Sequence, residues 1–369
     1  MTTTATTADH AFMRRALELA ERGWGRVHPN PLVGAVVVRD GEVVGVGYHE
    51  EWGGPHAEVR ALGEAGERAR GATLYVTLEP CNHTGKTPPC TDAVLRAGIR
   101  RVVIAARDPN PRAGGGVERL RAAGVEVVTG VEEGAALEQN AAFFHDFGDS
   151  GRPWLALKYG LTLDARISLE PGRRTAVTGE AAWAEVHRLR AGFDAILVGS
   201  ATALADDPLL TARGEITPRV PPVRIVIDSM LRLPLESRLV RTVGEAPVWV
   251  ICGPGAPAAS RAALEAAGVR VIEAPTDRAG VVLGAALEIL RAAGIRSVLC
   301  EGGGRLGAGL LESGLVDRMY LFYAPRLFGE GGVAAFPGRV GEPAAGEWRV
   351  SRVKPVGGDV LMVLDRNRE

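Results

Sequence analysis

Short runs rich in valine, isoleucine and leucine alternate with amphipathic segments along most of the chain, and this alternation restricts the fold more than any other feature. Phe12, Ala16, Leu19 and Ala20 recur at helical spacing after Asp9, the expected N-cap, so a helix is predicted over 8–22. Strands are predicted at 32–38 and 43–48, joined at Asp40-Gly41, a hairpin signal. A helix over 56–64, a strand at 73–78 and a Pro/Gly-rich loop over 79–89 follow. Helix–strand pairs at 91–97 and 101–105, then 117–123 and 125–128, lead to a helix over 132–144. Such a series requires a sheet with helices packed on its faces.

The segment 148–153, Gly-Asp-Ser-Gly-Arg-Pro, has linker composition and separates 1–147 from 154–369. A second α/β series follows. Strands are predicted at 154–161, 194–198, 223–227, 248–251, 269–272, 297–299 and 318–323, with helices over 179–190, 257–267 and 281–292. The turn Gly302-Gly303-Gly304 opens a further helix, and a hairpin around Gly357-Gly358 closes the chain. Two domains also suit a length of 369 residues.

Composition removes several function classes. A 46% hydrophobic and 24% charged content excludes a disordered or fibrous chain. With 43 basic and 44 acidic residues and 5% aromatics, neither a phosphate-binding face nor a base-stacking platform is expected, so nucleic acid is not the partner. The cysteines, Cys81, Cys90, Cys252 and Cys300, suit a reducing cytoplasm rather than a disulfide scaffold. No run of 18 uncharged apolar residues occurs and the N-terminus lacks a signal-peptide pattern, so no membrane partner is expected.

His56-Ala57-Glu58 at a predicted helix start, with Cys81 and Cys90 on the following loop, carries the clearest chemistry. One imidazole and two thiolates are three zinc ligands, which leaves the fourth tetrahedral position open. A catalytic zinc there raises the acidity of water. Glu58, two residues beyond His56, is placed to take that water's proton and return it to a ring nitrogen and a leaving amine. This is the arrangement of the zinc-dependent nucleobase deaminases, with one zinc per chain. Taken singly, each part has a plainer explanation: a surface helix for His-x-Glu, inert core thiols for the cysteines. His10, His145 and His187 read as surface or packing residues, His28 as part of a turn, and Cys252 and Cys300 as small buried hydrophobes.

The loop reads Glu79-Pro80-Cys81-Asn82-His83-Thr84-Gly85-Lys86-Thr87-Pro88-Pro89-Cys90, with eight residues between the cysteines. This expanded form resembles the deaminase half of the bifunctional riboflavin-biosynthesis enzymes. So do His28-Pro29-Asn30-Pro31-Leu32-Val33-Gly34, Gly47-Tyr48-His49, Pro55-His56-Ala57-Glu58 and Asp108-Pro109-Asn110-Pro111. The resemblance implies a cytidine-deaminase-like three-layer α/β/α domain acting on a diamino-hydroxy-pyrimidine that carries a phosphoribosylamino group. Asn30, His49, His83 and Lys86 are then candidates for the phosphate and base edges. Lysine occurs only at Lys86, Lys158 and Lys354, which adds weight to each. Asp108 and Asn110 would meet ribose hydroxyls or shape the pocket; alternatively they only build a Pro-containing turn, and Asn30 caps one.

The second series lacks a complete Gly-x-Gly-x-x-Gly after its first strand, which disfavours a standard dinucleotide fold. Its glycine run, Gly302 to Gly309, follows a predicted strand and opens a helix, a geometry that offers N–H groups to a phosphate. The segments 158–164, 198–213, 224–229 and 301–309 resemble the reductase half of the same enzymes. That implies a dihydrofolate-reductase-like α/β domain with a mixed sheet, in which NADPH reduces the ribosyl group to ribityl. Gly160, Thr202, Asp206, Ser229 and the turn formed by Gly303, Gly304, Arg305, Leu306, Gly307, Ala308 and Gly309 would contact the cofactor. Lys158, Arg190, Leu210, Arg213 and Glu301 would line the substrate site, with Glu301 and Lys158 orienting the pyrimidine and the arginines holding phosphate. The chain departs from the family over 164–176, where with no gap placed Arg174 and Ala176 stand at the positions of a serine and a tryptophan, so no contact is assigned there.

The expected protein is thus a cytoplasmic, homo-oligomeric enzyme acting on small pyrimidine ribotides. A deaminase of free or polymer-borne bases and a non-catalytic zinc protein are the alternatives; the second requires a fourth protein ligand.

Overall fold

Residues 5–85, 88–148, 150–338 and 348–367 are described in the structure, a computed structural model; Lys86 lies outside them. The chain divides into two compact units, Met1–Asp149 and Ser150–Glu369.

The first unit opens with α1 (Thr7–Ala20). Its N-cap is Thr6 and not Asp9: the Thr6 hydroxyl accepts from the Asp9 N–H while the Asp9 carboxylate accepts from the Thr6 N–H. Asp9 is buried because it also accepts from Tyr75 at 2.8 Å and Arg101 at 2.6 Å. The remaining elements are β1 (Gly34–Arg39), β2 (Glu42–Tyr48), α2 (Ala57–Ala65), β3 (Thr73–Leu78), α3 (Cys90–Arg96), β4 (Arg101–Ala106), α4 (Gly116–Ala122), β5 (Glu126–Thr129), α5 (Glu133–Gln139) and α6 (Ala141–Asp146). The helix expected over 132–144 is therefore two helices. Asn140 breaks it, because its amide bonds both the N–H and the carbonyl of Leu32.

The strands form one sheet in the order β2-β1-β3-β4-β5, antiparallel across β2, β1 and β3 and parallel from β3 to β5. Alternate residues point to opposite faces. Val37, Val76 and Ile104 pack beneath α2, α3 and α4 with Ala61, Val94 and Leu120. Val36, Tyr75 and Val103 pack on the other face with Met13, Ala16 and Ala136 of α1 and α5. This is the three-layer α/β/α arrangement expected.

The second unit contains β6 (Trp154–Leu161), β7 (Arg166–Ser168), α7 (Glu180–Ala191), β8 (Ala195–Gly199), α8 (Ser200–Asp206), β9 (Val223–Ile227), α9 (Arg238–Arg241), β10 (Val248–Cys252), α10 (Ala258–Ala266) and β11 (Arg270–Glu273). It continues with β12 (Thr276–Asp277), β13 (Gly280–Val281), α11 (Leu283–Ala292), β14 (Ser297–Cys300), α12 (Gly304–Glu312), β15 (Arg318–Tyr323), β16 (Val333–Ala334), β17 (Trp348–Val356) and β18 (Asp359–Arg366). Nine strands make one mixed sheet, β11-β10-β9-β8-β14-β6-β15-β18-β17, parallel as far as β15 and closed by the antiparallel β17–β18 hairpin. Its centre is apolar, with Leu155, Leu157, Leu197, Ile225 and Val298 buried.

One contact ties the first unit's fold to its chemistry. Gly45 and Gly47 lie two apart on β2 and let α2 approach so closely that a Cβ on either would collide with the Ala61 or Ala57 carbonyl. Gly47→Ala should therefore displace the start of α2, costing about 1–3 kcal/mol of stability. The unfolding temperature should fall below wild type, and so should any chemistry that depends on His56 and Glu58, which flank the start of α2.

Candidate active sites

Three chain segments bring the first site together. His56 is the N-cap of α2, Glu58 sits in that helix's first turn, Cys81 follows β3, and Cys90 begins α3. His56 Nδ1 lies 3.2 Å from Cys90 Sγ and 3.6 Å from Cys81 Sγ. All three ligand atoms fall within 4.8 Å of one another. Zinc bonds of ~2.0–2.1 Å to nitrogen and ~2.3 Å to sulfur, at tetrahedral angles, separate such atoms by roughly 3.5–3.8 Å, so the donor set fits a zinc ion. The neighbouring Cys90 thiol, with His56, lowers the Cys81 thiol well below its usual range. The same contact, with burial, pushes Cys90 up. Two buried sulfurs facing one imidazole favour a cation that allows both to ionise.

Glu58 is 3% exposed, and burial raises its carboxyl above the usual range. It lines a cavity of about 310 Å³ together with His56, Cys81, Asn30, His49 and Asp108. His83 and Asn110 line the same cavity. His49 is buried, and burial lowers it. Its neutral tautomer follows from its neighbours: the Pro55 carbonyl at 3.3 Å requires a proton on Nδ1, so Nε2 accepts from the Asn30 amide at 3.1 Å.

Asp108 and Asn110 both build the turn and line the cavity. Asp108 accepts from the Asn110 N–H at 2.9 Å, Asn110 accepts from the Arg112 N–H at 3.0 Å, and burial raises Asp108 to about 6.

Glu79, Trp52 and Phe143 also line this cavity, and the sequence reading missed their place there. Glu79 knits three loops: its carboxylate accepts from Val117 N–H at 3.0 Å, Asp108 N–H at 3.3 Å and Arg107 Nε at 2.7 Å. An acidic residue beside Pro80-Cys81 was the available signal.

The second site gathers on the carboxyl side of β8, β9 and β14. Glu301 has a nearly buried side chain. Arg190 grips it with Nε at 2.6 Å and Nη2 at 3.0 Å, and Lys158 Nζ lies 2.9 Å away. Burial alone would raise Glu301, but the two cations hold it at about 2. Arg190 Nη1 also donates to the Thr211 carbonyl at 3.1 Å. Leu210, beside it, is buried with φ of 53°, and Arg213 is exposed.

The Thr202 hydroxyl accepts from the Gly303 N–H at 2.9 Å, Asp206 ends α8 and Ser229 follows β9. A Cβ on Gly303 would lie 3.0 Å from the Thr202 hydroxyl. The first N–H groups of α12 have no partner within the helix. These features fit a phosphate-bearing cofactor. Gly304 to Gly309 lie inside α12; Gly307 packs against the Tyr159 hydroxyl and Ala308 is buried. Gly160 lies on β6 against Thr178.

Trp183 was missed as well. Its ring carries Lys158 on one contact, 5.8 Å from the centroid, and Arg174 on another, 5.7 Å away. Arg174, in the turn where the sequence departs from the family, therefore reaches the edge of this cluster.

The matches to known proteins follow the same division. The cytidine and deoxycytidylate deaminase zinc-binding region matches residues 6–106, and the RibD C-terminal domain matches 153–362. The chain is 46% identical over 324 residues to the riboflavin biosynthesis protein RibD of Aquifex aeolicus, covering 88% of each. It is similar to the structure of Acinetobacter baumannii RibD, with a TM-score of 0.81 at 36% identity over 98% of this chain and 99% of that one. The Thermotoga maritima diaminohydroxyphosphoribosylaminopyrimidine deaminase/5-amino-6-(5-phosphoribosylamino)uracil reductase gives a TM-score of 0.79 at 37% identity, with the same coverage.

The donor geometry carries a direct test. Metal analysis of the purified chain should find about one zinc per chain. Cys90→Ser, which removes one of three ligands, should lower that to near zero, and ammonia release should fall with it.

Proposed function

The chain belongs to the RibD family of riboflavin biosynthesis proteins, bifunctional enzymes with a zinc-binding deaminase domain and an NADPH-dependent reductase domain, and on that premise we propose how its own residues divide the work. The first domain, 1–147, deaminates a diamino-hydroxy-pyrimidine bearing a phosphoribosylamino group. The second, 154–369 beyond a linker at 148–153, reduces the ribosyl group of the product to ribityl. The observation that carries this reading is the buried Glu58 beside the His56, Cys81 and Cys90 donors, on a cavity of about 310 Å³. A structural zinc is closed by four protein ligands; among the described residues the candidate group has three.

Zinc supplies the Lewis acidity that makes water a nucleophile near neutral pH. Glu58 takes one proton of the attacking water and delivers it to the pyrimidine ring nitrogen, then carries the second, from the new hydroxyl, to the departing amine, so that water enters and ammonia leaves. His49 holds the Asn30 amide by one N–H, which leaves the rest of that amide for a base edge. Asp108, Asn110 and His83 meet the ribose and phosphate, and Lys86 is proposed to join them.

In the reductase, Thr202, Asp206, Ser229, Gly160 and the Gly303–Gly309 segment would hold NADPH, which would supply the hydride. The hydride acceptor is the ribosyl carbon opened to an iminium-like form. Lys158 gives one of its three N–H donors to Glu301 and keeps two for the substrate. Arg190 is engaged by Glu301 and Thr211, so its work is to orient Glu301. The exposed Arg213, beside Leu210, takes the phosphate. A homo-oligomeric, cytoplasmic enzyme without a nucleic-acid partner completes the reading, supported on the last point by a net charge of −1. Among the described residues no helix is long and apolar enough to cross a membrane.

Glu58→Gln separates proton transfer from metal binding. The amide cannot shuttle a proton, so ammonia release should fall by ~10²–10⁴-fold while zinc content and NADPH oxidation of pre-deaminated substrate stay at wild type. A zinc-loaded variant that deaminates normally would refute the assignment.

A further inference from the structure

Helix α7 presents Trp183, His187 and Arg190 at positions i, i+4 and i+7, which share one face. Trp183 meets Lys158, and Arg190 meets Glu301. His187, between them, points at the segment that follows α8: its Nδ1 lies 3.1 Å from the Arg213 backbone nitrogen and 3.2 Å from the Thr211 carbonyl oxygen. A single ring nitrogen satisfies only one of these. Bare, it accepts from the Arg213 N–H; protonated, it donates to Thr211. Arg190 already donates to the Thr211 carbonyl at 3.1 Å. Burial, with Arg190 and Arg213 nearby, lowers His187 and favours the uncharged ring. Of the two uncharged tautomers, the one with a bare Nδ1 and the proton on Nε2 satisfies both backbone groups, because it accepts the Arg213 N–H while the Thr211 carbonyl keeps Arg190 as its donor.

The segment needs holding. Leu210 is buried in a left-handed conformation, φ 53°, which a branched residue adopts reluctantly. Three side chains fix the backbone around it. Arg224 donates to the Leu209 carbonyl at 3.2 Å, Arg190 to the Thr211 carbonyl, and His187 accepts from the Arg213 N–H. The last anchor sits on Arg213 itself, an exposed residue and the one read as the phosphate contact.

We infer that His187 is a positioning residue of the reductase: by accepting the Arg213 N–H it fixes the segment 209–213 and aims Arg213 at the substrate phosphate. This rests on the reading of Arg213 as the phosphate contact. His187 touches neither substrate nor cofactor in this role.

The test uses the full, zinc-loaded chain with pre-deaminated substrate and NADPH. His187→Ala should raise KM for the pyrimidine ribotide about three- to tenfold, the size of one lost hydrogen bond, with kcat and KM for NADPH near wild type. His187→Leu, which keeps bulk but offers no acceptor, should behave the same way. His187→Asn, whose amide oxygen can accept the same N–H, should restore most of the loss. Arg213→Ala serves as the control and should raise the same KM. If Arg213→Ala raises KM while His187→Leu does not, the positioning role is overturned and the phosphate reading stands. If His187→Asn is as impaired as His187→Leu, the acceptor role is overturned. If Arg213→Ala leaves KM unchanged, the phosphate reading falls and the inference falls with it.

Discussion

A parallel strand covered on both faces has no room for polar chemistry along its length, so reactive groups collect where the strand ends. Both units obey this constraint. In the first, the carboxyl end of β3 leads to Glu79 and Cys81, and that of β4 to Asp108 and Asn110. The N-terminal ends of helices α2 and α3 lie at the same edge, so His56, the N-cap of α2, and Cys90, the first residue of α3, arrive there. In the second, β8 leads to Thr202, β9 to Ser229, and β14 to Glu301 and Gly303. The apolar layers beneath, such as Val76 and Ile104 or Leu197 and Val298, hold those ends in register.

Glu58 in the first unit and Glu301 in the second both have buried carboxylates, and their surroundings treat them oppositely. Among the described residues no lysine or arginine pairs with the Glu58 carboxylate as Arg190 and Lys158 pair with Glu301, and burial raises Glu58. Glu301 is gripped by Arg190 and Lys158, which overcome the same burial and keep it ionised. A proton shuttle requires the first environment and a fixed anion the second. The division of labour between the two units is thus set by what stands beside each carboxylate.

Much of this was legible in the sequence. Metal chemistry accepts few residue types at short spacings, so His56, Glu58, Cys81 and Cys90 declared themselves, and period-two and helical patterns located most elements. What escaped depended on contacts between distant segments. Asp9 resembled a cap, but its carboxylate is shared with Tyr75 and Arg101. The helix expected over 132–144 breaks because Asn140 serves Leu32, over a hundred positions earlier. His187 looked like a packing residue until α7 brought it to Arg213, and Trp183 gained meaning only beside Lys158 and Arg174. Local pattern holds no record of such pairings.

The central claim is that one chain runs two chemistries on separate groups, only one of which needs the metal. Removing zinc with a chelator, then following ammonia release and NADPH oxidation separately, tests it most directly. The account predicts that ammonia release stops and returns when zinc is restored, while oxidation of NADPH on pre-deaminated substrate continues at the untreated rate. Ammonia release that persists without zinc, or NADPH oxidation that stops with it, would contradict the account.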